Sequence, residues 1–136
     1  MFCCALLAQE NSISIKANLN ADKDEMIVKQ EIVFFNTTDS ILKNIYLHNW
    51  PNSFRDRKTP LSQRFIKDYR KDLYFSKQSK LGKTTIKNLT VDFENVNFTE
   101  LENNADILNI TLVKPLPQKE KTKIIITYTV KIPSAS

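Results

Sequence analysis

Most of this chain alternates apolar and polar residues with a period of two, and only one segment has the period of a helix. In "NSISIKANL", Ile13, Ile15, Ala17 and Leu19 share one face. Glu25–Phe35 puts Met26, Val28, Gln30, Ile32 and Phe34 on one side. Its other side carries Ile27, Val33 and Phe35, so the second half is expected to be covered on both faces. "TTIKNLTVDFEN" aligns Leu89, Val91 and Phe93, "VNFTELE" alternates imperfectly, and "ADILNITLV" aligns Leu108, Ile110 and Leu112. "TKIIITYTVKIP" sets Ile124, Ile126, Tyr128, Val130 and Ile132 together. Side chains alternate across a strand, so this spacing predicts half-buried strands. Polar turns, "NADKD" and "NTTDS", and the proline-bounded "KPLPQKEK" separate them. The expectation is an all-β fold: an antiparallel, saddle-like β-sandwich of about seven strands. At 136 residues the chain suits one domain, placed at 11–133 with a short tail at 134–136.

The helical period falls near 60–77. Thr59 is a suitable N-cap and Pro60 a suitable first residue. Leu61, Phe65, Tyr69 and Leu73 recur every four residues and form the expected core face of one amphipathic helix. Gly82 ends the turn that follows. Arg55–Lys83 holds ten Lys/Arg against three Asp, more than the whole net charge of +5. A solvated helix face explains such a run. No recognised nucleic-acid motif accompanies it, so no nucleic-acid partner is expected.

Between the third strand, Leu42–Trp50, and that helix lies "IYLHNWPNSF", with the only His and the only Trp of the chain. Pro51 stops the strand, because proline cannot donate to a sheet ladder. Asn49 and Asn52 have side chains suited to closing a bend. His48, Trp50, Pro51, Asn52 and Phe54 therefore read as a structural corner, with Trp50 and Phe54 as expected buried anchors.

Reactive chemistry is sparse. A single glycine rules out a phosphate-cradling loop, which needs several. One His and the adjacent pair Cys3 and Cys4 leave no zinc cluster to assemble, and there is no H-E-x-x-H. His48 with Ser53 and Asp39 could be drawn as a triad, and Glu100 with Glu102 as an acid pair, but no spacing fixes either geometry. No catalytic, cofactor-binding or metal-binding residue is assigned. Asn-x-Ser/Thr sequons at Asn36, Asn88, Asn97 and Asn109 are discounted in an Asn- and Thr-rich chain. "MFCCALLAQ", residues 1–9, resembles the remnant of a secretory signal, and export to the periplasm, the outer surface or the medium is expected of a chain carrying it. That run is too short to span a bilayer.

"KQEIVFFNTTDSILKNIYLHNWPNSF" (29–54) resembles the opening of the N-terminal β-domain of aminopeptidase N-like (gluzincin) zinc metallopeptidases, most closely the flavobacterial type. "TPLSQRFIKDYRKDLYFSK" (59–77) and "ILNITLVKPLPQKEKTKIIITYTVKIP" (107–133) continue the resemblance, which covers 12–133. It departs where Lys119 and Glu120 stand in place of a usual glycine. The resemblance implies a noncatalytic, bacterial, secreted domain. Such a domain docks on a thermolysin-like catalytic domain and helps wall the peptide cleft. The zinc and its ligands then lie in that next domain, and the β-domain itself is expected to be incomplete at "KIPSAS". Two readings follow. One is this docking domain, whose partners are a catalytic domain and, indirectly, a peptide. The other is a free-standing sandwich that binds a surface protein or glycan, since a fold alone does not choose between them.

Overall fold

The computed structural model describes residues 11–133. The stretch 1–9 and the tail 134–136 lie outside them. In chain order the strands are β1 (Ser12–Asn20), β2 (Glu25–Phe35), β3 (Leu42–His48), β4 (Lys83–Val91), β5 (Glu94–Asn95), β6 (Phe98–Leu101), β7 (Asn104–Leu116) and β8 (Lys121–Lys131). Two short helices, α1 (Pro60–Lys67) and α2 (Asp72–Phe75), fall between β3 and β4. All strand pairs are antiparallel. One sheet runs β1-β2-β8-β4-β5 and the other β3-β7-β6.

β2 and β8 form the spine of the larger sheet, in unbroken register from Glu25 opposite Lys131 to Phe35 opposite Lys121. Of the apolar row expected on β8, Ile124, Ile126 and Tyr128 face the smaller sheet, whereas Ile132 lies past the end of the strand and is exposed. Ile32, Leu89, Val91, Ile124 and Ile126 from the large sheet meet Ile45, Leu108, Ile110, Leu112 and Leu116 from the small one. Ile110 and Ile124 are fully buried. The second half of β2 is covered on both faces: Phe35 is buried on the side away from that core, whereas Ile27 is exposed.

One end of the sandwich is latched by Asn36, which is fully buried. Its Nδ2 donates to the carbonyls of Ser40 (2.8 Å), Leu116 (3.2 Å) and Pro117 (2.9 Å). Its Oδ1 accepts from Thr38 N (3.0 Å) and Oγ1 (2.7 Å). One amide thus joins the β2–β3 turn to the β7–β8 turn. An engaged, buried amide cannot carry a glycan, so the sequon at Asn36 is structural. The backbone N of Lys119 donates to Asn36 O (3.0 Å), and Lys119 adopts φ 59°. That is the left-handed conformation glycine takes without strain, and Lys119 adopts it in this turn.

Three expectations are corrected. The segment 60–77 is two helices, not one. Thr59 caps α1 as expected, its Oγ1 accepting from Ser62 N (3.3 Å), but the helix ends at Lys67. Tyr69 turns left-handed at φ 60°, Tyr69 N donates to Ile66 O (3.1 Å), and Arg70 N reaches back to Phe65 O (2.8 Å). This is a Schellman cap with Tyr at the position glycine favours, and the Arg70 guanidinium closes it 4.4 Å over the Phe65 ring. Tyr69 is consequently 90% exposed and leaves the expected core face, while Leu61, Phe65 and Leu73 stay half-buried. Next, Phe93 does not follow Leu89 and Val91 inward. Asp92 (φ 48°) and Phe93 (φ 69°) form the left-handed pair of a two-residue hairpin between β4 and β5. The Asp92 carboxylate pins that hairpin by accepting from Thr122 Oγ1 (2.8 Å) and Lys123 N (2.9 Å). Lastly, β1 is exposed almost throughout rather than half-buried.

Candidate docking surface

The exposure of β1 has a geometric cause. Ile13 pairs with Ile32, Ile15 with Gln30, Ala17 with Val28 and Leu19 with Met26. Paired residues share a face, so the apolar row of β1 continues the core face of the large sheet. Among the described residues the small sheet has three strands, and none of them reaches over it. Ile13 (62%), Ile15 (58%) and Leu19 (66%) are left open. Five strands under three leave an overhang, and a groove of about 410 Å³ opens between the sheets beside it, reaching β1 at Ile13. Ile13, Met26 and Ile32 line one wall of the groove, and Leu47, His48 and Pro51 belong to the other. Its polar groups are few. Tyr128 donates to Gln30 Oε1 (3.0 Å), and burial pushes the phenol's pKa above its ordinary value, which keeps it a neutral donor.

The corner read from the sequence bounds this groove. β3 ends at His48, and Trp50–Phe54 form a 3-10 turn with Pro51 at its start. Asn52 is the buried anchor. Its Nδ2 donates to Glu100 Oε1 (2.8 Å) on β6, and its Oδ1 accepts from Thr84 N (2.8 Å) on β4. One amide ties the corner to both sheets. Arg55 adds a second donor to the Glu100 carboxylate. Asn49 closes the bend through its backbone N, which donates to Asp106 O (2.6 Å). Thr59 Oγ1 donates to Ser53 O (2.6 Å) and ties the corner to α1.

Trp50 is not buried. It is 62% exposed and stacks on His48 with ring centroids 6.2 Å apart. Phe54 is half-buried. Both line a second, apolar hollow with Gly82 and Val130–Pro133. Gly82 is required there by close approach: a Cβ would sit 2.9 Å from Pro133 Cδ and 3.2 Å from Lys131 O. Trp50 therefore extends the exposed apolar surface around the corner instead of anchoring it.

The drawn catalytic groupings do not assemble. Asp39 precedes β3 and His48 ends it, about 20 Å away along a strand of this length. Ser53 is buried. Glu100 is committed to Asn52 and Arg55. Among the described residues, no group of three or more His, Cys, Asp or Glu is placed to hold a metal ion, and no helix is long and apolar enough to cross a membrane. Asn52 as the tie between sheets was missed in the sequence, because its partners lie 32 and 48 residues away.

No protein-family model matches this chain, and no curated protein matches it. Solved structures do. A variant of a two-domain M1 zinc metallopeptidase bound to L-tryptophan aligns with 93% of this chain at 12% identity and a TM-score of 0.51. A variant of an M1 zinc metallopeptidase from Deinococcus radiodurans bound to a Tyr-Ser-Ala substrate aligns with 93% of it at 11% identity, also at 0.51. At these identities the likeness is one of fold. The chain spans about a fifth of the length of each, 20%.

Proposed function

We propose that this chain is a noncatalytic N-terminal domain of an exported zinc metallopeptidase of the M1, aminopeptidase-like class. In this reading the overhang docks on a catalytic domain that holds the zinc, and the domain helps shape the cleft for a peptide. The observation that carries the reading is the uncovered apolar face of β1, Ile13, Ile15 and Leu19, which meets the groove at Ile13, with exposed Trp50 on the neighbouring hollow across Pro51. Open apolar patches of this kind mark sites that a partner covers. The fold likeness and the "IYLHNWPN" corner supply the kind of partner.

Reading the genomic DNA that flanks this coding sequence tests the proposal. An in-frame H-E-x-x-H downstream, or one in a neighbouring gene, is the expected result. In the joined protein, Ile13→Lys with Leu19→Lys is then expected to lower kcat/KM for a peptide substrate. The melting temperature of the isolated chain should stay unchanged under the same substitutions. A flank without any zinc-peptidase sequence would overturn the proposal and favour the free-standing binding module.

A further inference from the structure

The docking surface leaves the most basic part of the molecule unused. Of the ten Lys/Arg between Arg55 and Lys83, only Arg55 and Arg64 pair with a carboxylate among the described residues. The same segment exposes aromatic rings: Tyr69 at 90%, Phe75 at 69% and Tyr74 at 39%. The two features meet in space. A shallow hollow of about 350 Å³ is lined by Gln63, Ile66, Lys71, Tyr74 and Phe75. The Arg57 guanidinium lies 5.3 Å over the Tyr74 ring. Phe75 meets Tyr74 at 84°, edge to face. Cations thus rim an apolar hollow, on a helical excursion that rests on the Trp50–Phe54 turn.

An exposed Phe gains nothing from water, and unpaired cations attract an extended anion. An anionic lipid surface answers both at once, because its acyl boundary takes the rings while its phosphates take the cations. A nucleic acid answers the charge alone. Base stacking needs a run of free ring faces, and here Arg57 covers a face of Tyr74 and Arg70 a face of Phe65, which leaves Tyr69 and Phe75 as the open rings of the segment. We propose that the α1–α2 excursion is a peripheral binding site for an anionic membrane surface. Phe75 enters the headgroup layer, and Arg57, Lys71 and the neighbouring lysines pair with lipid phosphates.

Flotation of the full chain with vesicles tests this. Phosphatidylcholine vesicles are compared with vesicles that also contain phosphatidylglycerol, at low and high salt. Binding is expected only to the anionic vesicles, and it should weaken as salt rises. The double variant Arg57→Glu, Lys71→Glu should lower the partition coefficient at least about tenfold, from the loss of about 1 kcal/mol per cation near the surface. Phe75→Ser should lower it several-fold, and both variants should melt with the parent. Since residues 1–8 are also apolar, these substitutions isolate the contribution of the excursion. Equal binding to neutral vesicles, or variants that float like the parent, would overturn the proposal. So would tighter binding to a single-stranded oligonucleotide than to anionic vesicles, lost in the same variants.

Discussion

β8 and β1 belong to the same sheet and carry the same alternation, yet they meet opposite fates. On β8, Ile124 is wholly buried and Ile126 nearly so. On β1, Ile13, Ile15 and Leu19 point to the same side of the sheet and are more than half exposed. β8 lies between β2 and β4, in the part of the sheet that β3, β7 and β6 cover. β1 is the edge, and nothing in the described chain covers it. Period therefore tells which way a side chain points. The width of the opposing sheet tells what it meets there.

Substitutions can break this contrast, and the largest effect belongs to the closed half. Ile110→Ala empties a fully buried site and should cost about 2–5 kcal/mol in urea unfolding. A loss as small as that of an exposed residue would show that the two sheets do not pack as described. Asn36→Ala should cost about 2 kcal/mol, because it leaves three carbonyls without their donor. Thermal melting measures it, and Asn36→Asp should recover little, since a carboxylate cannot donate. On the open side, Trp50→Ala and Leu19→Ser should each change stability by less than about 1 kcal/mol in the isolated chain. A loss near that of Ile110→Ala would mean the overhang is covered in solution, by a second copy or by residues outside 11–133.

The smallest effect is electrostatic. Lys123 Nζ lies 2.9 Å from Glu31 Oε2 and, with Lys29 behind it, holds the carboxyl below its ordinary 4.5. A lowered folded-state pKa means the unfolded chain binds the proton more readily. The contribution is then complete above pH 4.5 and is lost as the pH falls through the lowered value. Any advantage of the parent over Glu31→Gln in urea midpoint should shrink through that acid window. A gap that widens toward acid would contradict the pairing. Both side chains are partly exposed, so added salt should shrink the gap as well.

How far the sequence could be read depended on the range of the interactions. The bounds of β2 are those its alternation and flanking turns predict, Glu25 to Phe35. Thr59 caps α1 through a bond three residues along the chain, and that too is legible. The helix break at Tyr69 is not. The four-residue apolar period continues through Leu73, while the backbone turns out of the helix at a Tyr whose type does not announce a left-handed cap. Trp50 misled for a different reason. Large rings are usually buried, but burial here depends on whether anything packs over the outer side of the corner. Asn52 looked like a local bend-closer and is instead a bridge between β4 and β6.

From the sequence alone came the strand periodicity, the turns that separate the strands and the poverty in glycine, histidine and thiol. These are local properties, set by side-chain type and by the two-residue repeat of an extended backbone. Only the tertiary structure decided which apolar rows become core and which stay open, because that depends on how many strands each sheet recruits. A strand's own residues orient its face but do not supply the surface that covers it.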